Sequence, residues 1–500
     1  MTQKESEDSF KLIGRKVLSS TKSDFNTVRT RIPDGSLILF QVNSGSILEV
    51  RDCQIKSLIK ENMQTSEETK MANEVQDTAF WLHHEEDYLD SPILMMSSTT
   101  ISGFYTFVQS DPSCSTSISK CFLSNSRGHA CNLDNPKAVK ITENIFEKTA
   151  KSAINIKFSK ENIDDKSHSI TIKNNEINYS SSYGISIFGE HLKPLNVNIL
   201  IDYNKISHSK KDSLGIKFLN IPDLKISHNN IIYSKGNGIS LQNVFDTMNS
   251  SPIYLRKNNI QSCEGNGLIV KDCPILMEYD EITLNNKSGL FMVLEDYNKE
   301  GKDQSATLYQ KIDFRVVLNN CKIYQNRESG INLAGSLKGP MLLNSCILAE
   351  NLYGIYVTEK ESASETSARL NMNNTKIASM NSNSPRSKDK KKAKEKALQR
   401  QATRNHCHFS IEKCEITRNN IAGIYLKKLI SELYFIETYV NMNKEQALFM
   451  EDFNDKDQIK LKEQEKARIS EYFHGYVGGY WGELYEGRPT SCKNNNCSIF

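Results

Sequence analysis

One thirteen-residue pattern, Asn258-Asn259-Ile260-Gln261-Ser262-Cys263-Glu264-Gly265-Asn266-Gly267-Leu268-Ile269-Val270, limits what this chain can fold into. A small polar residue is followed two places on by an aliphatic one. Gly comes seven places later, and then an apolar–x–apolar triplet. The same spacing starts at Asn175, Asn229, Asp280, Cys321, Ser345 and Cys414, with Gly184, Gly238, Gly289, Gly330, Gly354 and Gly423 as the markers. Markers step by 23, 22, 24 and 24 residues from 215 to 238, 267 to 289, 330 to 354 and 423 to 447. Such a period is too short for two helices and their turns. Each unit instead holds short alternating stretches, such as Ile253-x-Leu255, Ile260 and Leu268-x-Val270. That alternation predicts strands. Three short strands in 22–24 residues make one rung of a parallel β-helix, stacked at about 4.8 Å per rung.

Composition agrees with a stack of narrow cores. Only 38% of the 500 residues are hydrophobic, and the net charge of +3 points to no partner. Met1 to Phe10 is polar, without the apolar centre of a signal peptide, and no apolar run is long enough to span a bilayer. The 12 cysteines show no CxxC spacing, so reduced thiols in the cytoplasm are the expectation.

Residues 1–36 read as a partly disordered leader, and 37–452 as the β-helix. Insertions are expected at about 56–91, 295–312 and 358–406. Residues 453–486 read as a charged helix and an aromatic cap, and 487–500 as a flexible tail. The column two before each key aliphatic contains Cys53, Cys121, Asn175, Asn204, Asn229, Asn258, Asp280, Cys321, Ser345, Thr375 and Cys414. Asn and Cys interchange there, which favours a buried hydrogen-bonding ladder over a row of metal ligands. His83-His84-Glu85-Glu86-Asp87 lacks further ligands at useful spacing, so no metal and no cofactor are expected.

On these residues the chain resembles the right-handed parallel β-helix repeat proteins of the pectin-lyase-like fold, across residues 37–450. The resemblance implies an all-β solenoid. One branch of that fold contains extracellular polysaccharide lyases, hydrolases and esterases, and an intracellular branch contains partner-recognising proteins. The catalytic branch uses paired carboxylates on neighbouring rungs with a basic residue beside them. The Asn-Thr-Asp, Asp-Asp, Gly-His-Gly and Arg-Ile-Lys signatures are missing, and the nearest stretch is Gly128-His129-Ala130. No catalytic residue is therefore assigned. The column Glu176, Lys205, Asn230, Asn259, Glu281, Lys322, Lys376 and Glu415 mixes signs, as a solvated face does.

The leading expectation is thus an intracellular binding or scaffold protein with a protein partner, and the alternative is a carbohydrate-active enzyme. Three or more carboxylates with a Lys or Arg on one exposed sheet would favour the enzyme. The outward position of the Gly-apolar-x-apolar strand, where later coils carry Ile269, Phe291, Tyr356, Tyr425 and Phe449, reads as a partner surface or as a face covered by the chain's own insertions or tail. Lys388, Lys390, Lys391, Lys392, Lys394 and Lys396 form a basic loop. It reads as solvated, and without interleaved aromatics it gives no case for nucleic acid. The ending Cys497-Ser498-Ile499-Phe500 has the form of a prenylation box, with Cys492 as a second, palmitoylated site. That ending leads to the expectation of a lipid tether at a membrane. Gly267 and Gly354 are expected at corners needing tight or left-handed backbone.

Overall fold

The computed structural model describes residues 37–57, 76–84, 90–159, 167–190, 194–247, 249, 251–294, 315–335, 340–358, 408–426 and 432–450. Short strands at 10–13, 19–20, 473–478 and 496–498 complete it. The chain divides into a first unit running to Leu290 and a second from Phe291 onward.

In the first unit every coil contributes up to three strands, which we call leading, middle and trailing. One coil is Asp223–Ser227, Asn230–Ile232 and Ile239–Phe245, and the next is Ile253–Arg256, Asn259–Gln261 and Leu268–Lys271. Each pairs in parallel with its equivalent one coil away, as Ile226 with Leu255, Ile231 with Ile260 and Leu241 with Val270. Ile253–Arg256 and Leu268–Lys271 alternate buried and half-buried residues. This is the period-2 pattern that sends Ile, Leu and Val into one narrow core. The second unit repeats the plan, as with Met341–Asn344, Ile347–Ala349 and Tyr353–Thr358. The chain is an all-β, right-handed parallel β-helix solenoid.

The corners carry most of the polar structure. In the first unit Asn144 donates its amide to Asn175 at 3.0 Å, Asn175 to Asn204 at 2.9 Å and Asn204 to Asn229 at 3.0 Å. Asn229 then donates to Asn258 at 3.0 Å and Asn258 to Asp280 at 2.8 Å. Each accepting oxygen also takes the backbone N–H of the asparagine before it. The second amide hydrogen of Asn204 goes to the Ile172 carbonyl. The residue before each ladder side chain is left-handed: Asn174, Tyr203, His228, Lys257 and Tyr279 have φ between 52° and 58°. A non-Gly residue there costs about 1–2 kcal/mol, and hydrogen bonds worth roughly 1 kcal/mol each offset it. The cysteines that share this column are buried and donate to backbone carbonyls, as Cys121 does to Ser119. The column is a ladder, not a metal row.

The register differs from the sequence expectation in four places. Asn144 and Phe146 are the inward pair of their coil, while Ile145 is exposed. Cys346 and Leu348, not Ser345 and Ile347, hold the equivalent places later on, because the loop before Gly354 is one residue shorter. Leu214 and Ile216 point inward, which puts Gly215 on the outer face. Asp77–His83, inside the expected insertion at 56–91, is a trailing strand paired with Leu37–Asn43. The leader supplies Phe10–Ile13, antiparallel to Gln54–Ser57.

The marker glycines are also required for a different reason. Gly267 and Gly354 do not have positive φ. A Cβ on Gly267 would lie 2.2 Å from Ile282 Cγ2, and one on Gly354 2.4 Å from the Gly423 carbonyl. Close approach of the next coil, not left-handed backbone, excludes a side chain there.

Of the expected tail, Phe473–Gly478 lies parallel to Phe435–Val440, and Asn496–Ser498, which includes Cys497, runs antiparallel to Tyr476–Gly478. Cys492, the six lysines of the basic loop, Thr375, Lys376 and residues 453–472, where the charged helix is expected, lie outside the described residues.

Candidate functional site

The trailing strands of the first unit place a mostly polar row on their outward side, half-buried from Gln41 to Asn132 and buried from Asn155 to Ser240. Their register aligns Gln41, Trp81, Gln109, Asn132, Asn155, Ser186, Gly215, Ser240 and Ile269 in one outward column. Within it Asn132 donates to Gln109 at 2.8 Å, Asn155 to Asn132 at 2.7 Å and Ser186 to Asn155 at 2.7 Å. These amides hold one another in fixed orientations.

Two residues further along each strand, the next outward column brings chemistry together. Asp134 is in register with Lys157, and Lys157 with Phe188. Asp111 follows Ser110, the partner of Leu133, and therefore sits one coil from Asp134. Both oxygens of the Asp111 carboxylate are held: Trp81 Nε1 donates to one at 3.0 Å, and His83 Nδ1 lies 2.7 Å from the other. Carboxylates only accept, so the Nδ1 proton belongs to His83. The His83 ring packs on Trp81 with centroids 4.8 Å apart.

Asp134 is less well supported. Its Oδ1 is buried without a hydrogen-bond partner. Burial pushes its carboxyl above the ordinary range. Lys157 pulls it back, while Glu190 and Asp111 add to the rise. One coil thus carries a carboxylate fixed by two donors, and its neighbour a carboxyl that burial shifts upward. Divergent environments for paired carboxylates separate an acid from a base. Among the described residues no group of three His, Cys, Asp or Glu side chains is placed to hold a metal ion.

The residues singled out by sequence occupy other surroundings. His129 accepts the Ser152 N–H, and burial, with Lys151 nearby, holds it down to about 4. It is a neutral structural ring. Ile269, Phe291, Tyr356 and Tyr425 are half-buried, and the Phe449 side chain lies outside the described residues. Ile269 belongs to the first unit, in register beside Ser240. In the second unit Tyr356 and Tyr425 pack on each other at 5.0 Å and on Tyr353 at 4.9 and 5.3 Å. The tyrosines spend their apolar area on one another. The mixed-sign middle column is solvated as expected, with Lys205 and Glu176 paired at 2.9 Å.

Sequence reading missed Asp111, Asp134 and the role of His83 because these coils lack the Gly marker. Ala130 and Ala153 stand in its place. The signal was the run Gln109-x-Asp111, Asn132-x-Asp134 and Asn155-x-Lys157 at successive coil spacings.

Several solved structures are similar. The Azotobacter vinelandii mannuronan C-5 epimerase AlgE4 A-module is 11% identical, with a TM-score of 0.43, covering 83% of this chain and 88% of its own. The periplasmic alginate epimerase AlgG is 11% identical, TM-score 0.36, covering 84% and 79%. The catalytic unit of an alpha-1,3-glucanase from Streptomyces thermodiastaticus is 11% identical, TM-score 0.29, covering 64% of each. Likeness at this level does not reach to activity. No curated protein matches the sequence. The expectation of a binding scaffold is corrected: these similar structures bear the names of enzymes. The early coils of the outer face carry carboxylates, amides and a histidine, while Ile269, Tyr356 and Tyr425 hold outward positions on later coils. A family model for the right handed beta helix region matches residues 162–300 and 309–463. That is more than half of the 500 residues, and the chain belongs to the right-handed β-helix family.

Proposed function

We propose that the chain is a carbohydrate-active enzyme that cleaves glycosidic bonds on the trailing face of its first unit. The observation that carries this reading is the placement of Asp111 and Asp134 on neighbouring coils, with Lys157 and Glu190 close enough to perturb Asp134. This is the arrangement of carboxylates and a basic group that the sequence left unfilled.

In the proposed reaction the Asp134 carboxyl gives its proton to the glycosidic oxygen as the bond to the anomeric carbon breaks. Asp111 takes a proton from the water that adds to that carbon, so water is the only co-reactant. His83 and Trp81 hold Asp111 in one orientation, which limits the loss of geometry during the step. Lys157 sits where it stabilises negative charge on Asp134 once the proton has left. The half-buried amide of Asn132, held by Gln109 and Asn155, supplies a fixed partner for a sugar hydroxyl.

Residence in a reducing compartment is part of the proposal. It is supported by the buried thiols that donate to carbonyls, as Cys53 does to Arg51 and Cys273 to Lys271.

The test is release of new reducing ends by the full-length protein from a panel of neutral and acidic polysaccharides. Turnover of at least one polymer, lowered about 100-fold or more in Asp134→Asn and in Asp111→Asn, is expected. No product from any polymer, or equal product from wild type and Asp134→Asn, contradicts the reading.

A further inference from the structure

Away from the trailing face, the corner after the middle strand carries a second constellation. Lys148, Tyr179, His208 and Tyr233 occupy equivalent left-handed positions on four successive coils, with φ between 55° and 59°. A left-handed residue at a corner turns its side chain away from the core, so bulky groups stand in solvent here. Tyr179 and Tyr233 are each 52% exposed. The rings are not independent. Tyr179 stacks on His208 at 4.7 Å with 23° between planes, and His208 meets Tyr233 at 5.3 Å and 33°. The result is a ring column along the coil axis.

A cavity of about 340 Å³ opens at the Tyr179 end of this column. Its wall contains Lys148, Thr149, Tyr179, Ser181, His208 and Lys210. Lys148 comes from the coil before Tyr179 and Lys210 from the coil after it, about 10 Å apart along the stack at the usual coil spacing. Lys148 lies 3.5 Å from Glu147, its chain neighbour, at an exposed position. Among the described residues Lys210 forms no ion pair with a carboxylate. Salt bridges between exposed groups are weak and readily exchanged, so both ammonium groups are available to a ligand.

We infer that this corner is a second, non-catalytic binding site for an acidic sugar unit of a glycan chain. The two lysines recognise its anionic substituent, the Tyr179 ring its apolar face, and Ser181 a hydroxyl. A cavity of this volume accommodates one or two pyranose rings. The choice of a glycan as ligand rests on the carbohydrate reading above, whereas the site does not depend on catalysis.

Calorimetric titration of the full-length protein tests it, with five probes: a uronate hexasaccharide, a sulfated hexasaccharide, a neutral glucose hexasaccharide, inorganic phosphate and an oligothymidylate. At least one acidic hexasaccharide is expected to bind wild type and Asp134→Asn alike, and the tighter of the two identifies the substituent. The neutral one is expected to bind at least 10-fold more weakly. The double variant Lys148→Gln/Lys210→Gln is expected to weaken acidic binding 10-fold or more. Tyr179→Asn, which retains a residue suited to the left-handed corner, is expected to weaken it about fivefold. Unchanged binding in the double variant overturns the site. Displacement by inorganic phosphate at equal concentration overturns the sugar class, as does tighter binding of an oligothymidylate. Binding lost in Asp134→Asn but kept in the corner variants also overturns it, by placing the sugar on the trailing face. An inactive enzyme that binds at the corner counts against the catalytic reading alone.

Discussion

The two units build the same coil but dress it differently. In the first unit the outward column of the trailing row contains Gln109, Asn132, Asn155 and Ser186, with Asp111, Asp134 and Lys157 beside it. In the second unit the equivalent column contains Asn332, Tyr356 and Tyr425, closed over by Tyr353. The corners are exchanged as well. The first unit has its amide ladder before the middle strand, from Asn144 to Asp280, and small residues such as Ser180, Ser209 and Ser234 after it. The second has Cys321, Cys346 and Cys414 before the middle strand, and the ladder Asn326, Asn351, Asn419 and Asn443 after it. In both units an amide column fixes one corner, and the other is filled by whatever packs. Chemistry is concentrated where the outer face is polar, in the first unit.

The largest effect is expected on turnover. Asp134→Asn should lower it by about 100-fold or more, equivalent to about 2.7 kcal/mol or more of transition-state stabilisation. Tyr356→Ser/Tyr425→Ser should leave turnover within about threefold. Loss of activity on removal of the tyrosines would break the contrast between the faces.

The ladder contrast comes next. Asn204→Ala strips the Asn175 amide and backbone N–H of their acceptor, and the Ile172 carbonyl of its donor. Buried groups left unpaired cost about 1–3 kcal/mol each. Denaturant melts should therefore show a loss of about 3 kcal/mol or more. In the same coil Ser209 Oγ is buried without a partner, so Ser209→Ala should be neutral or slightly stabilising. Comparable losses for the two variants would remove the distinction between ladder corner and filler corner.

Gly354→Ala follows, with an expected loss of about 1–3 kcal/mol, because the added methyl meets the Gly423 carbonyl and Ile416. Gly45 has φ 73°, and a Cβ there would meet nothing closer than 3.9 Å, so strain alone governs a substitution there. A smaller loss at Gly354 than at Gly45 would return the marker glycines to a conformational role.

A smaller, pH-dependent effect marks the end of the first ladder. Burial pushes the Asp280 carboxyl up to about 7, and its Oδ2 has no partner. The folded value is above the unfolded one, so the folded chain binds the proton more tightly. The resulting stability is fully present below about pH 4 and is lost as pH rises through about 7. Melting temperature should fall between pH 5 and pH 8 in wild type and change less in Asp280→Asn. A steeper fall in the variant would contradict the assignment.

The solenoid was legible because its period is written in residues with few substitutes. Glycine at close approaches and asparagine in the ladder recur wherever the coil is regular. Register was lost where a marker moved by one or two places. Ser213 takes the marker place while Gly215 turns outward, and its neighbour Tyr183 has ring atoms within 2.8 Å of where its Cβ would stand. The same slip hid Asn144 and Cys346. The candidate site was illegible for a related reason. Asp111, Asp134 and His83 are far apart in sequence and meet only through coil register, and His83 lay in a stretch read as an insertion. Exposed tyrosines in one column look alike in sequence whether they face solvent or, as with Tyr356 and Tyr425, one another.

The central claim is that the first unit's polar face is catalytic, and reducing-end release by Asp134→Asn beside wild type tests it most directly. The account predicts product from wild type on at least one polysaccharide and a reduction of about 100-fold or more in the folded variant. Equal rates in the two proteins, or no product from wild type on any polymer, would contradict it.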